Sequence, residues 1–246
     1  MQRIGVIGGG TMGAGIAEVS ARAGCDVVVV EADPAGVERF RARLQKSLRR
    51  AADSSRISQA AADAAFARID IATELEATAH SQLVIEAVPE VESLKLDLFR
   101  ELDDILPPDA VLASNTSSIP LVKMASVTKR PDKVVGVHFF NPAPVLPLVE
   151  IVASLLTSDE TVAAATAFAE DQLGKTTIRS KDRAGFIVNA LLIPYVLSAI
   201  RMMESGFASA EDIDAGMVQG CAHPQGPLAL ADLIGLDTTA AVAQSM

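Results

Sequence analysis

Apolar residues fall into two regimes along this chain, short runs first and long helical faces later. Arg3–Ile7, Val27–Val30, Arg68–Ala72, Gln82–Val88 and Val111–Ser114 are brief runs rich in Val, Ile and Leu. Such runs mark strands buried on both faces of a parallel sheet. Between them, apolar positions recur at helical spacing over Ala14–Ala23, Asp33–Ala52, Ser58–Phe66 and Leu94–Leu106. Asp33 before Pro34 reads as a helix cap, and Pro107-Pro108 as a stop. Strands alternating with helices predict an α/β domain on a doubly wound, Rossmann-type sheet.

Val134–Val152 departs from this alternation. It reads VVGVHFFNPAPVLPLVEIV, two apolar runs around a loop with Pro142, Pro144 and Pro147. The prolines exclude a continuous helix, so two strands are expected. If they pair, His138 and Glu150 come close, the layout of an imidazole base oriented by a carboxylate. A buried structural His–Glu pair is the alternative. Beyond it, Ser158–Leu173 reads as an Ala-rich helix and Lys175–Arg179 as a strand.

From Lys181 onward strand signals cease. Helices are expected over Ala184–Glu204, Ser209–Gly220, Gly226–Ile234 and Leu236–Ser245. The domain boundary is expected near Ser180–Arg183, giving a nucleotide-type domain over 1–181 and a smaller all-helical domain over 182–246. Ala184–Ile200 is apolar enough to mimic a membrane span. Its length is marginal, it carries Asn189 and Pro194, and a buried core or subunit-interface helix fits it better. Asn189 early in this helix needs a partner, whether structural or a ligand.

Composition narrows the functional classes. The chain has 246 residues and a formal net charge of -10, which argues against general nucleic-acid or anionic-membrane binding. Its two cysteines, Cys25 and Cys221, lack metal-ligand spacing and fit a reducing cytosol. No basic segment with an apolar run and cleavage site opens the chain, so a signal peptide is not expected.

The candidate chemistry begins at Gly8-Gly9-Gly10-Thr11-Met12-Gly13, a G-x-G-x-x-G at Gly8, Gly10 and Gly13. It follows a strand and opens a helix. Gly8 allows the turn, Gly10 lets a pyrophosphate approach, and Gly13 lets helix pack on strand. Thr11 and Met12 fall at the helix N-terminus, where free N–H groups favour an anion. Glu31, after the next strand, suits ribose hydroxyls and repels a 2′-phosphate, favouring NAD over NADP. The 33–52 helix carries Arg39, Arg41, Arg43, Lys46, Arg49 and Arg50 against one acid, Glu38, after its cap. It is either a landing face for a phosphorylated ligand or a solvated basic face. Asn115-Thr116-Ser117-Ser118 follows a strand at the sheet edge expected to hold ligands, or merely caps what comes next.

Several segments together resemble the 3-hydroxyacyl-CoA dehydrogenase family. They are IGVIGGGTMGAGIA, VIEAVPE, ASNTSS, HFFNP, LVEIV, GFIVN and GPLALADLIGLDT, in family order over nearly the whole chain. The resemblance implies oxidation of a 3-hydroxyacyl-CoA, with hydride passing to NAD. It implies His138 as general base, Glu150 as its orienting carboxylate, Ser117 as a contact to the substrate hydroxyl, and Asn189 as a contribution from the helical domain. It also implies NAD contacts at Glu31, Glu90, Lys95, Ser117 and Asn141, and a CoA contact at Ser47, with Arg49 and Arg50 in a phosphate-facing patch. A homodimer is the implied assembly. The chain departs from the family pattern at Glu31 (commonly Asp), Pro147 (often Lys), Ala190 (often Arg) and Ser54 (Lys, for which Arg56 could substitute). It stops at Met246, short of the family's usual end, so weaker dimer packing and exposed apolar faces around Leu228–Val242 are expected. The rival readings are a dehydrogenase of a CoA-free 3-hydroxy acid and a non-catalytic NAD-binding protein.

Overall fold

The structure, a computed structural model, describes residues 1–246 apart from the side chain of Ser245. It comprises two compact units, Met1–Asp182 and Arg183–Met246.

The first unit is built on one eight-stranded sheet in the order β3-β2-β1-β4-β5-β6-β7-β8. The strands are β1 (Arg3–Ile7), β2 (Asp26–Val30), β3 (Ile69–Ala72), β4 (Leu83–Glu86), β5 (Val111–Ser114), β6 (Val134–Phe139), β7 (Leu148–Ala153) and β8 (Thr176–Lys181). β1 to β6 run parallel, β7 reverses against β6, and β8 follows β7 in parallel. The strand order changes direction between β1 and β4, the crevice where an open α/β sheet takes its ligand. The expected strand over Gln82–Val88 is shorter, because Glu86 turns its carboxylate back onto the Val88 N–H (2.7 Å) and ends the ladder.

The helices of this unit are α1 (Thr11–Arg22), α2 (Pro34–Asp53), α3 (Gln59–Ala67), α4 (Glu92–Ile105), α5 (Leu121–Ser126) and α6 (Asp159–Ala167). α2 begins where Asp33 accepts from the Gly36 N–H (2.6 Å), with Pro34 in the first turn. α1 starts at Thr11, earlier than its apolar residues suggest, because the glycine turn feeds straight into it. α5 was not legible, since its six residues carry too little period. α6 stops short of Leu173 as a regular helix and passes into a wider turn over Phe168–Gln172.

The second unit holds α7 (Val188–Glu204), α8 (Ala210–Ala215), α9 (Pro227–Ile234) and α10 (Leu236–Ser245). The expectation that α7 starts at Ala184 is corrected. Gly185 and Phe186 take positive φ (75° and 49°), a left-handed turn that no α-helix passes through. Ser209 caps α8 by accepting from the Asp212 N–H (3.1 Å), and the helix widens over Gly216–Gly220 instead of running on as one. Among the described residues, no helix is long and apolar enough to cross a membrane.

Gly13 shows how closely α1 packs on β1. A Cβ there would lie 1.8 Å from the Gly8 carbonyl oxygen. The main chain must move to admit it. Gly13→Ala is therefore expected to cost about 1–3 kcal/mol or more in urea denaturation, as overpacking does. It should also abolish NADH binding by fluorescence titration; unchanged binding would show that the turn is not under this constraint.

Candidate active site

Strand pairing brings the central contact together. His138 on β6 sits directly opposite Glu150 on β7, so both side chains share one face of the sheet. His138 Nδ1 is 2.7 Å from Glu150 Oε2, and His138 Nε2 is 3.2 Å from Ser117 Oγ. Glu150 is fully buried and His138 is 4% exposed. A carboxylate only accepts, so the neutral ring carries its proton on Nδ1 and turns the Nε2 lone pair towards Ser117. Phe140 closes edge-on against the ring with centroids 4.7 Å apart. Asn115 accepts from the Phe139 N–H (2.8 Å) and ties the strand to the loop after β5.

Ser117 is held by a partly buried charge network. Glu90 accepts from the Thr116 hydroxyl, the Ser117 N–H (3.1 Å) and the Ser118 hydroxyl (3.1 Å), so one carboxylate grips three successive residues. Lys95, on α4, reaches Glu90 at 2.9 Å and Glu86 at 2.8 and 3.0 Å. Ser114 donates to Glu86 at 2.5 Å. Burial pushes the Glu90 carboxyl up, but the Lys95 charge and the hydrogen bonds from Thr116, Lys95 and Ser117 outweigh it. The net effect holds Glu90 below the usual carboxylate range. Lys95 is 1% exposed, with its ammonium turned to the two carboxylates. The structure thus places Lys95 behind Glu90, with Glu90 at the surface of the site. Glu86 was missed in the sequence; it falls inside the apolar run expected as a strand over Gln82–Val88.

The glycine turn fits a pyrophosphate. A Cβ on Gly10 would meet nothing within 4 Å, whereas at Gly8 and Gly13 it would strike backbone. No side chain caps α1 at Gly10, so the N–H groups at Thr11, Met12 and Gly13 have no side-chain cap to compete with an anion. Glu31 lies at the end of β2 and accepts from the Gly9 N–H at 2.8 Å. Cβ atoms at Gly9 and Gly36 would fall within 2.6 and 2.8 Å of the Glu31 carboxylate oxygens, so those glycines make its room. Neither was singled out in the sequence. Arg43 reaches the same turn from α2, donating to the Gly9 carbonyl at 2.7 Å. Among the described residues, no cluster of three His, Cys, Asp or Glu could hold a metal ion.

Beside this turn, a cleft of about 270 Å³ lies between α1, α2 and the 141–144 segment. Arg43, Lys46, Ser47 and Arg50 of α2 line it together with Asn141 to Pro144 and with Thr11, Ala14, Gly15 and the buried acid Glu18 of α1. The structure brings Ser47 and Arg50 together but not Arg49, which faces α3 beside Gln59 and Asp63. The helical steps 43, 46, 47 and 50 put these four on one face, a signal present in the sequence. Ser54 is the C-terminal cap residue of α2 and Arg56 follows it; neither lines the cleft. Asn141 begins the loop after β6, in a cis peptide bond to Pro142. Asn189 lies in the first turn of α7, half-buried, within the second unit.

Comparison with known proteins agrees along the whole chain. Residues 3–183 match the family described as 3-hydroxyacyl-CoA dehydrogenase, NAD binding domain, and residues 185–246 match its C-terminal domain. A 3-hydroxybutyryl-CoA dehydrogenase of Mycobacterium tuberculosis is 52% identical over 100% of this chain and 86% of its own length. A probable 3-hydroxybutyryl-CoA dehydrogenase of Bacillus subtilis is 43% identical over 97% of this chain and 83% of its own. The solved structure of (S)-3-hydroxybutyryl-CoA dehydrogenase from Ralstonia eutropha superposes with a TM-score of 0.94 at 43% identity, covering 100% of this chain and 86% of that one. With an NAD-binding sheet domain and a helical partner domain both matched, the chain belongs to the 3-hydroxyacyl-CoA dehydrogenase family.

Proposed function

We propose that this protein oxidises a short-chain 3-hydroxyacyl-CoA to the 3-oxoacyl-CoA, reversibly, with NAD as hydride acceptor. The observation that carries the reading is the line Ser117 Oγ, His138 Nε2, His138 Nδ1, Glu150 Oε2, with contacts of 3.2 and 2.7 Å. When bound, NAD supplies the acceptor carbon, C4 of the nicotinamide. Everything else falls to the chain. Ser117 donates to or accepts from the 3-hydroxyl and orients it. His138 Nε2 takes the hydroxyl proton as the C–H bond breaks. Glu150 keeps that lone pair outward and stabilises the imidazolium that forms. In reverse, the imidazolium returns the proton to the developing alkoxide. Asn189 is the polar side chain that the first turn of α7 offers to a substrate.

Gly8, Gly10, Thr11, Met12 and Gly13 cradle the cofactor's pyrophosphate, Glu31 binds its ribose, and Glu90, Ser117 and Asn141 face its other end. Lys95 serves by holding Glu90 in place. Ser47 and Arg50, with Arg43 and Lys46, take the CoA phosphates, and Arg49 adds charge from the next face. The basic cleft favours this substrate over a CoA-free 3-hydroxy acid.

The deciding assay follows NADH formation from 3-hydroxybutyryl-CoA. Turnover is expected in the wild type and a drop of roughly 10²- to 10⁴-fold in His138→Gln, with NADH binding unchanged. Free CoA should compete with substrate; failure to compete favours a CoA-free hydroxy acid, and absent turnover with normal NADH binding sinks the enzymatic reading. Lys95→Met should destabilise the fold by about 3–5 kcal/mol in urea, because Glu86 is left as a buried unpaired charge. A loss under about 1 kcal/mol would mean the network is not coupled as described.

The assembly is a homodimer in the cytosol, formed through the helical unit. Leu191, Phe207 and Leu233 are each more than 70% exposed there, apolar side chains that a second copy would cover. Sedimentation at micromolar concentration should give twice the chain mass, and a monomer would refute the dimer.

A further inference from the structure

The loop between β6 and β7, residues 140–147, is short of hydrogen-bond donors. Pro142, Pro144 and Pro147 bring no N–H. Val145 and Leu146 both donate to the Pro142 carbonyl, at 2.9 and 3.0 Å. The remaining carbonyls must find donors from elsewhere in the protein or from water. Lys175 supplies two: its Nζ donates to the Ala143 carbonyl at 2.6 Å and to the Leu146 carbonyl at 2.7 Å.

The backbone pins this lysine on both sides. Gly174 turns with φ at 65°, the Lys175 N–H donates to the Ala169 carbonyl (2.9 Å), and the Thr176 N–H donates to the Pro147 carbonyl (2.8 Å). The placement is costly. Among the described residues no carboxylate pairs with Lys175, and burial, then the Arg22 charge, push its ammonium below the usual lysine range. What the charge gains there is the loop. Against the same loop, a Cβ at Gly15 of α1 would meet Ala143 Cβ and Pro144 Cδ, each at 3.1 Å. The loop is therefore held by both α1 and Lys175, and its 141–144 segment lines the cleft together with Lys46, Ser47 and Arg50.

We propose that Lys175 is a positioning residue for substrate binding: its ammonium clamps the 140–147 loop against α1 and so sets the width of the cleft opposite the basic face of α2. The proposal rests on the reading of that cleft as the acyl-CoA site. Lys175 holds the loop at Ala143 and Leu146, past Phe140 and Asn141 and away from every reacting atom, so its loss acts on affinity and leaves the Ser117–His138–Glu150 line in place.

The test has two arms. Hydrogen exchange reads the clamp without reference to activity. In Lys175→Met the Val145 and Leu146 amides should exchange more than tenfold faster than in the wild type, with β1 and β4 amides unchanged. Steady-state kinetics read the function. Lys175→Met should raise KM for 3-hydroxybutyryl-CoA at least fivefold while kcat stays within twofold, and Lys175→Arg, which keeps two donors, should restore most of it. Gly15→Ala crowds the same loop from α1 and should give the same KM-selective defect. Unchanged exchange, or a fall in kcat at constant KM, overturns the clamp. Faster exchange in a protein whose wild type does not turn over 3-hydroxybutyryl-CoA upholds the clamp and discards the substrate reading.

Discussion

One reversal of chain direction organises the His138–Glu150 end of the sheet. Six strands run parallel, and a parallel sheet offers no way to set two consecutive strands side by side without a long crossover. β7 avoids the crossover by turning back on β6 through a Pro-rich loop. Antiparallel register then places residues directly opposite each other, and that is what brings His138 and Glu150 to one face at 2.7 Å. A slip of one residue would send one partner to the other side of the sheet. Val137, Phe139, Val149 and Ile151 are buried and penalise such a slip, so the apolar strands fix the polar contact.

The second requirement is to hold Ser117 against that imidazole from a loop. Loops are ordinarily the mobile part of an α/β fold. Here a carboxylate accepts from Thr116, Ser117 and Ser118 together, and a buried lysine ties it to Glu86 at the end of β4. Buried ion pairs contribute little net stability, because desolvation offsets their attraction. Their use here is geometric. Two neighbouring strand ends and a helix are locked to one serine, and the serine is thereby locked to β6.

The cleft beside the glycine turn is walled by α2 and the 140–147 loop, and here the reading of the sequence was uneven. The basic character of α2 was plain, but which residues face the cleft depended on helical phase. Arg43, Lys46, Ser47 and Arg50 share a face, whereas Arg49 turns towards α3. Glu31 was legible by its place after β2, while the glycines that make room for it, Gly9 and Gly36, were not. Lys175 carried no local signal at all, since its partners are loop carbonyls some thirty residues earlier in the chain.

The sequence by itself determined the alternation of strands and helices, the glycine turn, the cap of α2 and the family. These depend on local period, on residues that tolerate special backbone angles, and on motif order. It misjudged the start of α7, because a positive φ at Phe186 is set by surroundings and not by propensity. Tertiary structure alone decided which charges are buried together, which face of α2 meets the cleft, and which lysine grips the 140–147 loop. Those contacts join residues far apart in the chain, and their energies depend on burial and distance, neither of which is written in the order of the residues.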